Sequence, residues 1–222
     1  MFPIKDENLT KGKSILTITL IVVNIAVFLA TYFSGQFNQI VDSYGLKPAE
    51  MFAGQRLYTV FTSMFLHGGF LHIFGNMLFL WIFGDNIEDV CGRGRFLLLY
   101  FGSGIIAGLA QGLWEPGSVI PMIGASGAIS GVLGAYIVLY PRARVYTLVG
   151  FFGVVMIPAV AFLGFWFVLQ VLSASFTLVG ASTGVAYLAH IGGFVAGALM
   201  ILPVRRAAKK RHARYSYTIM YR

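Results

Sequence analysis

Polar residues in this chain are gathered into short stretches, and between them apolar residues run in blocks near the length that crosses a bilayer. The first block is Ile15–Phe33, preceded by Lys5, Lys11 and Lys13. A secretory signal begins similarly, but its apolar part is shorter and ends at a small-residue cleavage site. Here Thr31, Tyr32 and Phe33 follow Ala30, which predicts a retained span. A stretch of mixed polarity follows from Ser34 to Thr59, long enough for short interfacial helices. Further spans are predicted at Gly68–Gly84, Phe96–Leu113, Ser126–Tyr140, Ile157–Ser173 and Gly184–Leu202. As a helix, Val145–Met156 would rise only about 18 Å against a hydrocarbon layer of roughly 30 Å. Pro158 then favours a break. That segment reads as re-entrant or interfacial, which keeps the count at six.

Composition agrees with a membrane protein. Of 222 residues, 58% are hydrophobic and 11% charged, less than half the charge of a soluble domain, about 25%. This excludes a disordered chain and argues against a soluble enzyme core. The net charge of +8 would point to nucleic acid in a soluble protein. Here the bases cluster beside the apolar blocks, and no nucleic-acid partner is expected.

With the N-terminus inside, the inner segments hold Lys5, Lys11, Lys13, Arg93, Arg95, Arg142, Arg144, Arg205, Arg206, Lys209, Lys210, Arg211, Arg214 and Arg222, and the outer ones only Lys47 and Arg56. That asymmetry follows the positive-inside rule. The expected fold is an all-α compact bundle of six transmembrane helices with both termini cytoplasmic, in the plasma (inner) membrane of a prokaryote. Residues 1–14 form a cytoplasmic segment, 15–203 the six-span core and 204–222 a basic tail suited to anionic lipids. The lone Cys91 reads as a buried or interfacial thiol.

This topology sorts the polar groups. Asp85, Glu88 and Asp89 fall at the cytoplasmic edge beside Arg93 and Arg95, in helix-end and salt-bridge roles, while Asp42, Glu50 and Glu115 are in outer loops. With no carboxylate at mid-membrane, transport through buried acids and an intramembrane aspartic protease are disfavoured. What remains inside the spans is Ser126 in Gly124-Ala125-Ser126-Gly127, His190 in Ala189-His190-Ile191-Gly192-Gly193, and His72 and Asn76, four apart on one helical face, with His67 just before them. Spans two, four and six all enter from outside, so these motifs converge on one level, with His190 on the order of 10 Å below the outer surface. Gly127 and Gly131, like Gly193 and Gly197, have the spacing that lets membrane helices approach closely.

Taken singly, each feature has a plainer explanation: a serine N-cap, a histidine bonding between helices, an asparagine tying a loop, glycines that only pack. Together they make a hydroxyl beside a base. A serine hydroxyl becomes a nucleophile when a neighbouring base takes its proton, and histidine does this near neutral pH. No acid is placed to orient His190, so a Ser–His dyad is the economical form. The Ser126 N–H, with His72 and Asn76, would hold the oxyanion.

At these residues the sequence resembles the rhomboid family of intramembrane serine proteases. The resemblance lies in Phe65-Leu66-His67-Gly68-Gly69-Phe70-Leu71-His72-Ile73-Phe74-Gly75-Asn76, in Gly124-Ala125-Ser126-Gly127, and in Ala189-His190 with Gly193 and Gly197. It implies Ser126 as nucleophile, His190 as general base, His72 and Asn76 as oxyanion donors, and Gly124, Ala125, Gly127, Gly193 and His67 as supports. It also implies cleavage of transmembrane protein substrates near their outer ends, within membrane lipids, without metal or other cofactor. The fifth span, holding Trp166 and Phe167, and its following loop are implied as a lateral gate. Two departures stand out. Ser130 occupies the position where some members stack a tyrosine on the histidine, and Gln55-Arg56 stands near where some have Trp-Arg. The rivals are a catalytically silent relative that binds membrane proteins, and a metal transporter using His67, His72 and His190. The latter is disfavoured because no carboxylate or thiolate joins them.

Overall fold

A computed structural model describes residues 1–8, 10, 12–177 and 184–205. In chain order its elements are β1 (Phe2–Asp6), α1 (Ile15–Tyr32), α2 (Phe37–Tyr44), α3 (Pro48–Phe52), α4 (Thr59–Thr62), α5 (Phe70–Cys91), α6 (Arg93–Trp114), α7 (Ser126–Leu139), β2 (Arg144–Leu148), β3 (Val154–Pro158), α8 (Ala159–Thr177) and α9 (Tyr187–Met200), with single 3-10 turns at Ser63–Phe65 and Gly150–Phe152. The apolar blocks become α1, α5, α6, α7, α8 and α9, and the mixed stretch between the first two holds α2, α3 and the start of α4. Five of the six are long and apolar enough to cross a membrane, and α7, with 14 residues, is shorter.

Its shortness follows from its surroundings. Every residue from Gly127 to Tyr136 is buried, and α7 packs against α5, α6, α8 and α9. A helix walled by protein need not match the bilayer thickness, so its first residue can begin below the membrane face. The contact with α9 is backbone on backbone. A methyl group on Gly193 would overlap the Gly127 carbonyl, one on Gly197 would overlap that of Gly131, and one on Gly134 would overlap that of Phe194. The glycine pairs of the sequence therefore do face each other.

Two segments differ from expectation. First, α5 continues to Cys91 rather than ending at Gly84, because its polar end is used. Glu88 accepts the N–H groups of Leu16 (3.0 Å) and Thr17 (2.8 Å) and the Thr17 hydroxyl (2.8 Å). Ser14 makes no side-chain cap, so this carboxylate satisfies the free N–H groups at the positive end of α1. Asp89 likewise accepts the Gly12 N–H.

Second, Val145–Met156 forms most of a hairpin that joins β1 in a three-stranded antiparallel sheet of order β1-β2-β3. Phe2 pairs with Leu148, Asp6 with Val145, and Leu148 with Val154. Val145, Tyr146, Thr147, Val154 and Val155 are strand-favouring types, and Gly150 and Gly153 take positive φ at the turn. Residues 1–14 are thus more than a lead-in. Asp6 accepts hydrogen bonds from the Tyr136 hydroxyl (2.5 Å) and the Asn86 amide (2.9 Å), while the Phe2 ring stacks on Phe74 at 5.9 Å. Asn86 and Phe74 lie twelve residues apart on α5, about 18 Å of helix, so β1 climbs alongside α5 rather than lying across its end.

Candidate active site

The chain enters α7 through a pinned turn. Leu46 and Met122 exchange backbone hydrogen bonds (3.0 and 2.8 Å), and the Gly124 N–H donates to the Ser63 carbonyl (2.9 Å). Gly124 has φ +125°, and a Cβ there would sit 2.8 Å from His72 Nε2, so both conformation and space require glycine. Ala125 follows fully buried. Ser126 is the first helical residue, where backbone N–H groups lack intrahelical partners.

His190 lies one turn into α9, and its Nε2 is 2.8 Å from Ser126 Oγ. The glycine contacts between α7 and α9 bring these two side chains within reach, since a larger residue at Gly193 would push the helices apart. The side of Gly127 where a Cβ would stand faces Ala107 of α6, while its carbonyl meets Gly193 of α9. On the other side of the serine, His72 Nδ1 accepts the Gly68 N–H at 3.3 Å. Its Nε2 therefore carries the hydrogen and lies beside Gly124. Asn76 is buried one turn further along α5 and donates to the His72 carbonyl at 2.9 Å, leaving its second N–H hydrogen. His67 is 1% exposed, its ring edge-on to His72 at 5.1 Å. Burial, with a smaller contribution from His72, pulls its pKa down to about 4, so it is neutral at ordinary pH.

One contact was not anticipated. Gln170, an amide that follows the apolar run Ala159–Leu169 of α8, has Oε1 2.8 Å from His190 Nδ1. The Trp166 ring, one turn earlier on α8, lies 6.0 Å from the imidazole, and Phe167 packs on Phe194 of α9 at 4.7 Å. Support for His190 thus comes from α8, while Ser130, at the departing position, bonds the Ser126 carbonyl (2.7 Å). The signal in the sequence was the cost of placing an amide in an apolar span, which calls for a polar partner. The loop implied as part of a gate falls largely on residues 178–183, and the basic tail from 206 onward likewise lies outside the described residues.

The loop between α1 and α5 is held by charge. Lys47 pairs with Asp42 (2.6 Å) and Arg56 with Glu50 (3.1 Å), and Arg56 also donates to the carbonyls of Asp42 and Ser43. The Lys47 ammonium holds the Asp42 carboxyl below its ordinary value, by hydrogen bond and by charge. Among the described residues, no group of three or more His, Cys, Asp or Glu side chains is gathered to hold a metal ion.

A bundle of membrane helices enclosing a short central helix, with a serine and a histidine in contact at its half-buried start, defines a polytopic membrane protein with a polar site among its spans. The chain belongs to the rhomboid family: the Rhomboid domain matches residues 54–207. It is similar to Rhomboid protease GluP of Bacillus subtilis (strain 168), 32% identical over 204 residues, which cover 90% of this chain and 38% of that protein. It is also similar to Rhomboid protein 1, mitochondrial, of Saccharomyces cerevisiae (32% identical, 70% of this chain, 44% of that one). Rhomboid protease GlpG of Pectobacterium atrosepticum is 31% identical, over 83% of this chain and 61% of its own. The chain spans roughly two fifths of the length of the first of these relatives.

Proposed function

We propose that this chain is an intramembrane serine endopeptidase that cleaves transmembrane segments of membrane proteins near the outer face, with Ser126 as nucleophile and His190 as general base. The observation that carries the proposal is the 2.8 Å contact between Ser126 Oγ and His190 Nε2. Two relatives bear the name rhomboid protease, which supports the reaction class.

His190 Nε2 takes the Ser126 proton as Oγ attacks the scissile carbonyl. The same proton passes to the leaving amine, and a water activated by His190 then hydrolyses the acyl-enzyme. The oxyanion forms beside the Ser126 N–H at the positive end of α7, with the His72 Nε2–H and Asn76 amide as further donors. Removing either side-chain donor costs about 2.7–4 kcal/mol of activation energy. A helical peptide bond is enclosed by its own hydrogen bonds, so the substrate must unwind locally, and helix-weakening residues belong near its cleavage site. Residues 15–203 form the core, with the start of α1 and the end of α9 at the cytoplasmic face, Phe2–Asp6 running from that face along α5, and the site opening outward, as the basic residues direct.

The test is cleavage of a model single-span substrate in detergent. Ser126→Ala and His190→Ala each reduce the rate on the order of 10⁴-fold or more while melting like wild type. Cleavage retained by Ser126→Ala refutes the nucleophile. An inert wild type whose serine also fails to react with a serine-directed probe supports the silent, binding relative instead.

A further inference from the structure

We infer that Gln170 is a positioning residue for His190: its side-chain carbonyl selects the imidazole tautomer that can act as a base toward Ser126. The inference rests on the protease reading for its consequence in catalysis, but its geometry stands apart from it. Gln170 Nε2 faces back to the Trp166 carbonyl of its own helix at 3.5 Å, which turns Oε1 toward His190 Nδ1 at 2.8 Å. An amide oxygen only accepts, so Nδ1 carries the hydrogen, and Nε2, 2.8 Å from Ser126 Oγ, presents its lone pair to the hydroxyl. The opposite tautomer would place an N–H at the serine and leave two acceptors, Nδ1 and the Gln170 oxygen, facing each other in a buried site.

The neutral amide therefore does the orienting work for which no carboxylate is available. When His190 takes the serine proton, both ring nitrogens carry hydrogen and the same Oε1 accepts from the cation. Trp166, a turn away on the same helix, flanks the ring where Ser130 is too small to. Both supports come from α8, where only 17% of the residues in Ala159–Phe176 are buried.

Among the described residues, the ionisable groups near His190 are His72 from α5 and Tyr187 from α9, edge-on to the ring at 6.5 Å. Ser126 from α7 and Gln170 and Trp166 from α8 carry no charge. A pH effect of changing Gln170 can therefore be separated from theirs.

The experiment is nitrogen-15 NMR of histidine-labelled protein in detergent at neutral pH, with Gln170→Met and Gln170→Glu as variants. Wild-type His190, assigned by its loss in His190→Ala, shows the Nδ1–H tautomer. Gln170→Met, nearly isosteric but without the acceptor, shows a mixture of tautomers. Its kcat falls roughly 10- to 100-fold, the range for a hydrogen bond to a charged group, with KM unchanged. Gln170→Glu restores the single tautomer and moves the acidic limb of the kcat/KM profile to higher pH, because a carboxylate at Nδ1 favours the protonated ring. An unchanged tautomer in Gln170→Met overturns the inference. So does a Gln170→Glu variant that behaves like Gln170→Met. The tautomer is read without turnover, so a chain that cleaves nothing defeats the protease reading and leaves Gln170 to be judged by the spectrum.

Discussion

His67 shows what burial does to a single residue at this site. Its imidazole is enclosed and stays neutral down to about pH 4, whereas in the unfolded chain it protonates near 6.5. Between those values the unfolded chain binds the extra proton, so the stability tied to His67 is complete above pH 6.5 and is lost as pH falls toward 4. The loss amounts to about 3 kcal/mol. Melting in detergent from pH 7.5 to 4.5 should show this decline, and His67→Phe should flatten it relative to wild type. An equal slope in both would place the acid sensitivity elsewhere. Ser126, His190, His72 and Asn76 were all legible at this scale, because polar side chains in apolar spans are rare enough to single out. Gln170 was equally visible as a residue but had no legible partner: it and His190 lie on different helices, and no short motif links them.

Among elements, the closest fit is between α7 and α9. Gly193→Ala drives a methyl group into the Gly127 carbonyl, which should cost about 1–3 kcal/mol and reduce cleavage by separating Ser126 from His190. Gly164→Ala in α8 meets nothing within 4 Å and should be neutral or stabilising by about 0.4–1 kcal/mol. Comparing the two melting temperatures checks the claim, and equal effects would contradict it. The glycine spacing made this contact readable in advance. The sheet was not readable in the same way: the hydropathy of Val145–Met156 showed only a run too short to span, and its partner strand lies more than 130 residues away at Phe2–Asp6. Since β1 climbs along α5 and Phe151 and Phe152 at the hairpin turn are exposed, that turn should lie in hydrocarbon. Tryptophan at Phe151, in a variant with Trp81, Trp114 and Trp166 replaced by Phe, should then be quenched by brominated acyl chains in liposomes. Quenching only by aqueous iodide would place the turn at the water interface.

For the whole molecule, the sequence pattern carried the number of apolar helices, because a bilayer-crossing helix needs a continuous apolar block. It could not carry the length of α7, which depends on the helices that enclose it, or the extension of α5, which depends on Glu88 reaching α1. The site itself is enclosed by side chains of α5, α7, α8 and α9. A serine activated by a histidine in such a site should react covalently without any substrate. The most direct measurement is therefore labelling of the membrane-embedded protein with a fluorophosphonate, followed by mapping of the modified residue by mass spectrometry. The adduct is expected on Ser126 in wild type and absent from His190→Ala. A wild-type protein left unlabelled, or a His190→Ala variant labelled at Ser126 as fast as wild type, would contradict the central claim that His190 makes this serine a nucleophile.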